Sequence, residues 1–186
     1  MKHLGTKQIE TQRLLLRPFT PEDGEAMFRN WASDRSVTKY LTWPTHADPG
    51  VSRWVVEDWV SHYKEENFYQ WAIVPKDLGE PIGSIAAVKI DEDAQWVEIG
   101  YCIGRNWWHR GYMSEALQAL IRFFFEEVGM GRICARHDPR NPNSGAVMRK
   151  CGMTYEGTLR RSDRNNQGIC DAAVYGILRE EYYADK

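Results

Sequence analysis

Residues 96–117 read WVEIGYCIGRNWWHRGYMSEAL, and this run decides the fold. Trp96 to Ile103 has the β-branched and aromatic content of a strand. Beyond Gly111, residues Leu117, Leu120, Ile121, Phe124 and Val128 recur about a helical turn apart, and Gly129 stops that apolar face. A strand therefore feeds a loop, and the loop feeds a helix N-terminus. The first amides of a helix have no partner inside it, and the helix dipole favours negative charge beside them. Gly111 lets a ligand approach the backbone with no Cβ in the way. His109 and Arg110 add donors or charge. A pyrophosphate suits this turn, and so does the plainer reading of a tight turn into a core helix.

Upstream, Ile9 to Pro18 reads as a strand centred on Leu14, Leu15 and Leu16. Thr20-Pro21-Glu22-Asp23 opens a helix with a cap, a proline and acids in its first turn; Ala26, Met27, Phe28 and Trp31 carry its apolar side. A second helix is predicted from about Val51 to Lys64. Tyr69 to Val74, Ile82 to Ile90 and Trp96 to Ile103, joined by polar turns, read as an antiparallel meander. Downstream, Arg132 to His137 is a strand, Asn141 to Cys151 a helix followed by Gly152, and Met153 begins another strand. Asn165-Asn166-Gln167-Gly168 turns a last hairpin whose second arm is Ile169 to Leu178. The whole reads as one α/β (α+β) domain over residues 1–186.

At 186 residues, with 42% apolar and 27% charged residues, the chain has enough material for a core of its own. A net charge of −2 gives no reason to expect nucleic-acid binding driven by bulk charge. Cys102, Cys134, Cys151 and Cys170 form no C-x-x-C pair and no cluster with histidine, so zinc is not expected and free thiols in a reducing compartment are. No apolar run approaches the roughly 20 residues of a membrane span. The polar opening MKHLGTKQIETQR lacks the apolar centre of a signal peptide. A cytoplasmic protein is expected.

Four stretches carry a family resemblance. Thr11-Gln12-Arg13-Leu14-Leu15-Leu16-Arg17 matches an opening T-x-R-L-x-L-R. Glu98-Ile99-Gly100-Tyr101 matches an E-I-G-Y strand. Trp108 to Ala116 resembles a W-G-x-G-Y-A-x-E-A pyrophosphate loop, and Asn141-x-x-Ser144 followed by Lys150-Cys151-Gly152-Met153 resembles N-x-x-S…K-x-G-F. In this order and spacing the chain resembles the GNAT superfamily of acyl-CoA N-acetyltransferases, and within it the branch of ribosomal-protein N-terminal (alanine/serine) acetyltransferases. It departs from that pattern at His109, at Met113 in place of Ala or Gly, and at Met153 in place of an aromatic residue.

The resemblance implies a GNAT fold, a mixed and mostly antiparallel twisted sheet of about seven strands flanked by about four helices. It implies acetyl-CoA as donor, a primary amine as acceptor, direct attack on the thioester, and no metal. By that resemblance His109, Arg110, Gly111, Tyr112, Met113 and Ser114 hold the pyrophosphate, provided Met113 points into the core. The backbone of Cys102 and Ile103 pairs with the pantetheine arm as an extra strand would, and Asn141 bonds the same arm or caps its helix.

Glu98 is the candidate base, directly or through water, or else a structural carboxylate. Family enzymes often place a tyrosine where this chain has Met148, which cannot donate a proton. Ser144 is then the candidate acid for the thiolate, or else a first-turn hydroxyl bonded to backbone. Cys102 reads as a small buried residue, not a nucleophile. His3, His46, His62 and His137 share no ligand spacing.

For the acceptor, the first two helices and the last hairpin are expected to frame the amine, with Trp31, Trp43, Trp54, Trp59 and residues 160–167 nearby. A protein or peptide N-terminus is favoured. A small-molecule amine (amino acid, polyamine or antibiotic), a CoA-binding module without turnover, and an interaction domain without a cofactor stay open. Exposed tryptophans or the last hairpin are candidate homodimer surfaces.

Overall fold

The computed structural model describes residues 1–184. Its centre is an eight-stranded sheet in the order β1-β2-β3-β4-β5-β6-β8-β7. The strands are β1 (Ile9–Glu10), β2 (Leu14–Arg17), β3 (Gln70–Pro75), β4 (Gly83–Asp91), β5 (Trp96–Ile103), β6 (Arg132–His137), β7 (Thr154–Asn165) and β8 (Gly168–Leu178). Every neighbouring pair is antiparallel except β5 and β6. That parallel pair needs a long crossover, and α4 (Tyr112–Phe123), extended by a π turn over Phe124–Val128, supplies it.

The sheet has eight strands because residues 9–18 are not one continuous strand. Thr11 leaves the ladder: its hydroxyl accepts from the Leu14 amide at 2.9 Å, and its amide donates to the Leu14 carbonyl at 2.9 Å. The freed Arg13 amide donates to Glu115 on α4 instead. The first helix is likewise fractured, into a 3-10 turn (Pro21–Asp23), α1 (Gly24–Met27) and a π turn (Phe28–Ala32). α3 spans Pro49–His62 and is capped by Asp48, whose side chain accepts from Gly50 and Val51. α5 spans Pro142–Lys150. Two short helices, α2 (Arg35–Thr38) and α6 (Arg179–Ala184), are too brief to show an apolar period in sequence.

Alternation along the strands divides the core in two. One face packs Leu14, Leu16, Trp71, Ile85, Val97, Ile99 and Ile133 against α4 and α5. The other packs Ala72 and Val74 against Phe19, against Met27 of α1 and Trp31 of the π turn that follows it, and against Val56 of α3. Trp31 and Trp71 are fully buried core residues. Trp31 is therefore removed from any acceptor surface. Trp59 packs on Phe19 at 4.9 Å, whereas Trp54 is 67% exposed on the outer side of α3. No helix among the described residues is long and apolar enough to cross a membrane.

Candidate active site

β5 and β6 pair only at Trp96–Arg132, Val97–Ile133 and Glu98–Cys134. Beyond Glu98 they part, while β5 stays paired with β4 as far as Ile103 and β6 stays paired with β8 as far as His137. A fork opens in the middle of the sheet. The Gly104 amide donates to Ile82 across β4 at 2.8 Å, so the alternation of an antiparallel ladder turns the Cys102 backbone toward β4 as well. The amides facing the fork are those of Tyr101 and Ile103. Of the sequence-predicted pair, Ile103 lies at the fork and the Cys102 backbone does not. The Cys102 side chain is half-buried and faces Ser84, 3.5 Å away, and desolvation pushes its thiol up.

The loop after β5 is anchored on both faces of the sheet. Trp107 packs on the α4 side and Trp108 on the α1/α3 side, where its Nε1 donates to the Ile103 carbonyl at 2.9 Å. His109 and Gly111 both take left-handed backbone angles, with φ of 59° and 79°. Such a conformation costs a non-glycine residue about 1–3 kcal/mol. The N–H groups of residues 109–114 have no protein partner among the described residues. Met113 is buried in the core, so its side chain is clear of the turn. A cavity of about 330 Å³ lies over this turn, lined by Gln12, Arg13, Arg110, Gly111, Ser114 and Lys150 among others.

Arg13 organises that cavity. It donates to Glu115 through both its amide (2.8 Å) and Nε (2.7 Å), and to the Arg110 carbonyl through Nη1 (2.9 Å). Its guanidinium lies 4.5 Å from the centre of the Tyr112 ring. Burial pushes the Glu115 carboxyl up, but the bonds from Thr11 and Arg13 outweigh it and hold the group below its ordinary range. Lys150 and the Arg110 side chain have no ion-pair partner among the described residues. Free amides, two uncommitted cations and an open cavity fit a pyrophosphate.

The far side of the fork is the start of α5. Asn141 sits at the cap position, but its side chain accepts no bond from the helix and has no hydrogen-bond partner among the described residues. The Ser144 carbonyl accepts from the Tyr101 hydroxyl at 3.0 Å, a bond that ties β5 to α5, and the Ser144 side chain lies beside the same hydroxyl. Met148 is buried in the core.

Glu98 lies at the apex of the fork, on the face away from α4, and is 8% exposed. Its Oε2 accepts from Arg136 at 2.5 Å, and its Oε1 has no partner among the described residues. Lys89 lies opposite it on β4 and Cys134 on β6. Nearby, the hairpin turn between β7 and β8 clamps the loop before α3. The Asn166 side chain donates to the carbonyls of Thr38 (2.8 Å) and Trp43 (2.7 Å), and its amide to Leu41 (3.1 Å). Asp138 joins this clamp to the cofactor side. Its carboxylate accepts from Arg140 and from Asn165 at the hairpin, and its carbonyl accepts from the Asn141 amide at 2.7 Å. The Arg140 guanidinium holds the Asp138 carboxyl well below the usual carboxylate range.

The acetyltransferase (GNAT) domain model matches residues 13–154. The chain belongs to the GNAT acetyltransferase family. Among relatives, it is 31% identical to p20 of Bacillus licheniformis, an uncharacterized N-acetyltransferase, over 94% of this chain and 97% of that one. It is 30% identical to the ribosomal-protein-serine acetyltransferase of Escherichia coli over 53% of this chain and 55% of that one. Among solved structures, a GNAT-family acetyltransferase from Bacillus anthracis superposes with a TM-score of 0.81 at 29% identity, covering 94% of this chain and 99% of that one. This GNAT enzyme is an acetyl-CoA-dependent N-acetyltransferase.

Several residues that shape the acetyltransferase's site were not singled out from the sequence. Arg13 belongs to a quoted motif, yet its partner Glu115 lies 102 positions away. Lys150 was quoted only as part of a motif. Arg136 and Asp138 carry no local signal, and Asn165 and Asn166 carry only that of a turn, because each acts by joining elements that are distant in the chain. Of the histidines, His46 bonds Ser52 at 2.7 Å and His137 bonds the Asp138 carbonyl at 2.8 Å.

Proposed function

We propose that residues 1–186 form one acetyltransferase domain that acetylates the α-amine of a protein or peptide N-terminus by direct attack, in the cytoplasm. The observation that carries this reading is Glu98 at the apex of the fork, with Oε1 uncommitted. A thioester laid along β5 brings its carbonyl past that oxygen, and the likeness to the ribosomal-protein-serine enzyme supports an N-terminal acceptor. The four free cysteines support a reducing compartment.

Acetyl-CoA supplies an activated acyl carbon with a thiolate leaving group. The amides of residues 109–114, with Arg110 and Lys150, hold its phosphates. Tyr101 and Ile103 take its pantetheine arm by backbone pairing, joined by the Asn141 side chain. Glu98 Oε1 receives the proton of the acceptor ammonium, directly or through one water. As the amine nitrogen bonds to the carbonyl carbon, charge gathers on the carbonyl oxygen, where a fork-facing N–H can stabilise it. The C–S bond then breaks, the nitrogen gives up its second proton to water, the Ser144 hydroxyl donates to the departing sulfur and recovers its proton from solvent, and Glu98 returns its own proton to solvent.

The test pairs a melting curve with a thiol-release assay. Acetyl-CoA at 100 times its dissociation constant adds about 2.7 kcal/mol, which at this chain length raises the melting point by roughly 5–11 °C. Short peptides with a free Ser or Ala N-terminus then release free thiol, and their N-acetylated counterparts do not. A melt unmoved by acetyl-CoA defeats the cofactor assignment. Release with amines of other kinds but with no peptide defeats the acceptor assignment.

A further inference from the structure

We infer that Arg136 is a specificity-determining residue, whose guanidinium binds the oxygen that lies beside the amine in the acceptor. This rests on the reading of Glu98 as the group that receives the amine. Arg136 lies two residues beyond Cys134, the register partner of Glu98, and so projects from the same sheet face. At that point β5 and β6 have already separated. The side chain leans back across the mouth of the fork and touches Glu98 through Nη2 alone, at 2.5 Å from Oε2. Its Nε and Nη1 have no hydrogen-bond partner among the described residues, the Asp163 carboxylate acts on it only through charge, and 35% of the side chain is open to solvent.

The pair thus presents one free carboxylate oxygen beside free guanidinium N–H groups. The matching ligand carries an ammonium beside an oxygen acceptor. An α-amino carbonyl unit has this form, because its nitrogen and carbonyl oxygen lie roughly 3 Å apart by standard backbone geometry. An N-terminal residue, an amino-acid amide and a free amino acid all contain it. An alkylamine, a lysine side chain and a polyamine do not: each sets methylene groups against the guanidinium and leaves its N–H groups desolvated without an acceptor. A polyamine also brings a second positive charge toward Arg136 and Lys89. A guanidinium reads the oxygen better than an ammonium would, since its planar donors keep a fixed direction while one of them stays on Glu98.

The experiment measures kcat and KM at saturating acetyl-CoA for an alanine amide or an alanyl peptide, against propylamine and spermidine. KM is expressed per unprotonated amine, because α-amines and alkylamines differ by about two to three pKa units. The wild-type enzyme is expected to favour the α-amino carbonyl acceptors by about tenfold to a hundredfold in KM. Arg136→Ala should remove that preference. It should raise KM for the peptide about tenfold relative to KM for propylamine, with KM for acetyl-CoA unmoved; Glu98 loses its partner in this variant, so kcat is compared as the ratio between the two acceptors. Arg136→Lys, which retains the charge and the packing of the stem, should fall between the two and serves if the alanine variant folds poorly. Equal use of propylamine by the wild type overturns the proposal. So does a loss of kcat in Arg136→Ala that leaves the KM ratio between the two acceptor classes unchanged, since that marks a prop for Glu98. If the wild type acetylates alkylamines alone, this inference and the N-terminal acceptor both fail while acetyl transfer stands; if it acetylates no amine, the transfer reading fails with them.

Discussion

Thr11 Oγ1 donates to Glu115 Oε1 at 2.6 Å, joining two residues 104 positions apart. The amide and Nε of Arg13 bond the same carboxylate. The broken strand at the sheet edge thereby grips the first turn of α4, the turn whose unpaired amides face the cavity. Substituting Glu115→Ala leaves these donors without their acceptor, at a cost of about 1–3 kcal/mol. The melting point should fall by roughly 2–12 °C, and KM for acetyl-CoA should rise. A variant that melts and binds acetyl-CoA as the wild type does would show that the grip is incidental.

Glu115 also sets a pH dependence. Its folded pKa is depressed below the ordinary 4.5, so its contribution to stability is fully present above that value and is lost as pH falls through the lower folded value. Glu115→Gln removes this contribution. The gap in melting point between wild type and Glu115→Gln should therefore be widest near pH 7 and should narrow on acidification below about 4.5. A gap that holds constant down to pH 3 contradicts the assignment.

Glu98→Gln keeps the shape of the side chain and removes the base. Acetyl-CoA should still raise the melting point, while kcat should fall about 100-fold to 10,000-fold, the usual range for a general base. Unchanged turnover across the pH range would take Glu98 out of the mechanism. Ser144→Ala is expected to have the smaller effect, because a thiol with a pKa near 8.5 is a tolerable leaving group without help. A fall in kcat of about tenfold or more, with acetyl-CoA binding retained, would assign Ser144 the proton donation.

Arg110 and Lys150 are partly or fully solvent-facing, so each should contribute modestly. The double variant Arg110→Ala/Lys150→Ala should raise KM for acetyl-CoA about fivefold to fiftyfold and leave KM for the amine unchanged. It should also flatten the salt dependence of acetyl-CoA binding, since the charges being screened are gone. Titrating binding at two ionic strengths checks both points.

Asn166 bonds three backbone groups of the loop before α3. Asn166→Ala removes two of those bonds, worth about 1–3 kcal/mol together, and frees residues 38–43 from the hairpin. KM for the amine acceptor should rise while KM for acetyl-CoA stays constant. A shift of both by the same factor would indicate global loosening and not a clamp on the acceptor side.

Strands and helices long enough to show a period were legible in the sequence. β5 and β6 fall on the predicted bounds, and α3, α4 and α5 lie within a few residues of theirs. The hairpin turn at 165–168 was visible from its Asn and Gly content. The short helices α2 and α6, and the break between β1 and β2, were not, because single turns and local breaks are set by contacts with distant residues. The eighth strand exists because Thr11 and Arg13 turn aside to meet Glu115.

The positions of Glu98, Gly111, Asn141 and Ser144 follow from local chemistry and motif, and the chain itself determines them. A strand of alternating character sends Glu98 away from the core helix, and a left-handed glycine opens α4. Only the tertiary structure decided which groups these residues meet. The parting of β5 from β6 leaves Tyr101 and Ile103 facing the fork while Cys102 turns to β4. The folding of β6 beside β5 brings Arg136 onto Glu98. Spacing along one chain fixes a side chain's face but not its neighbour on the next strand, and the electrostatics of the site belong to those neighbours.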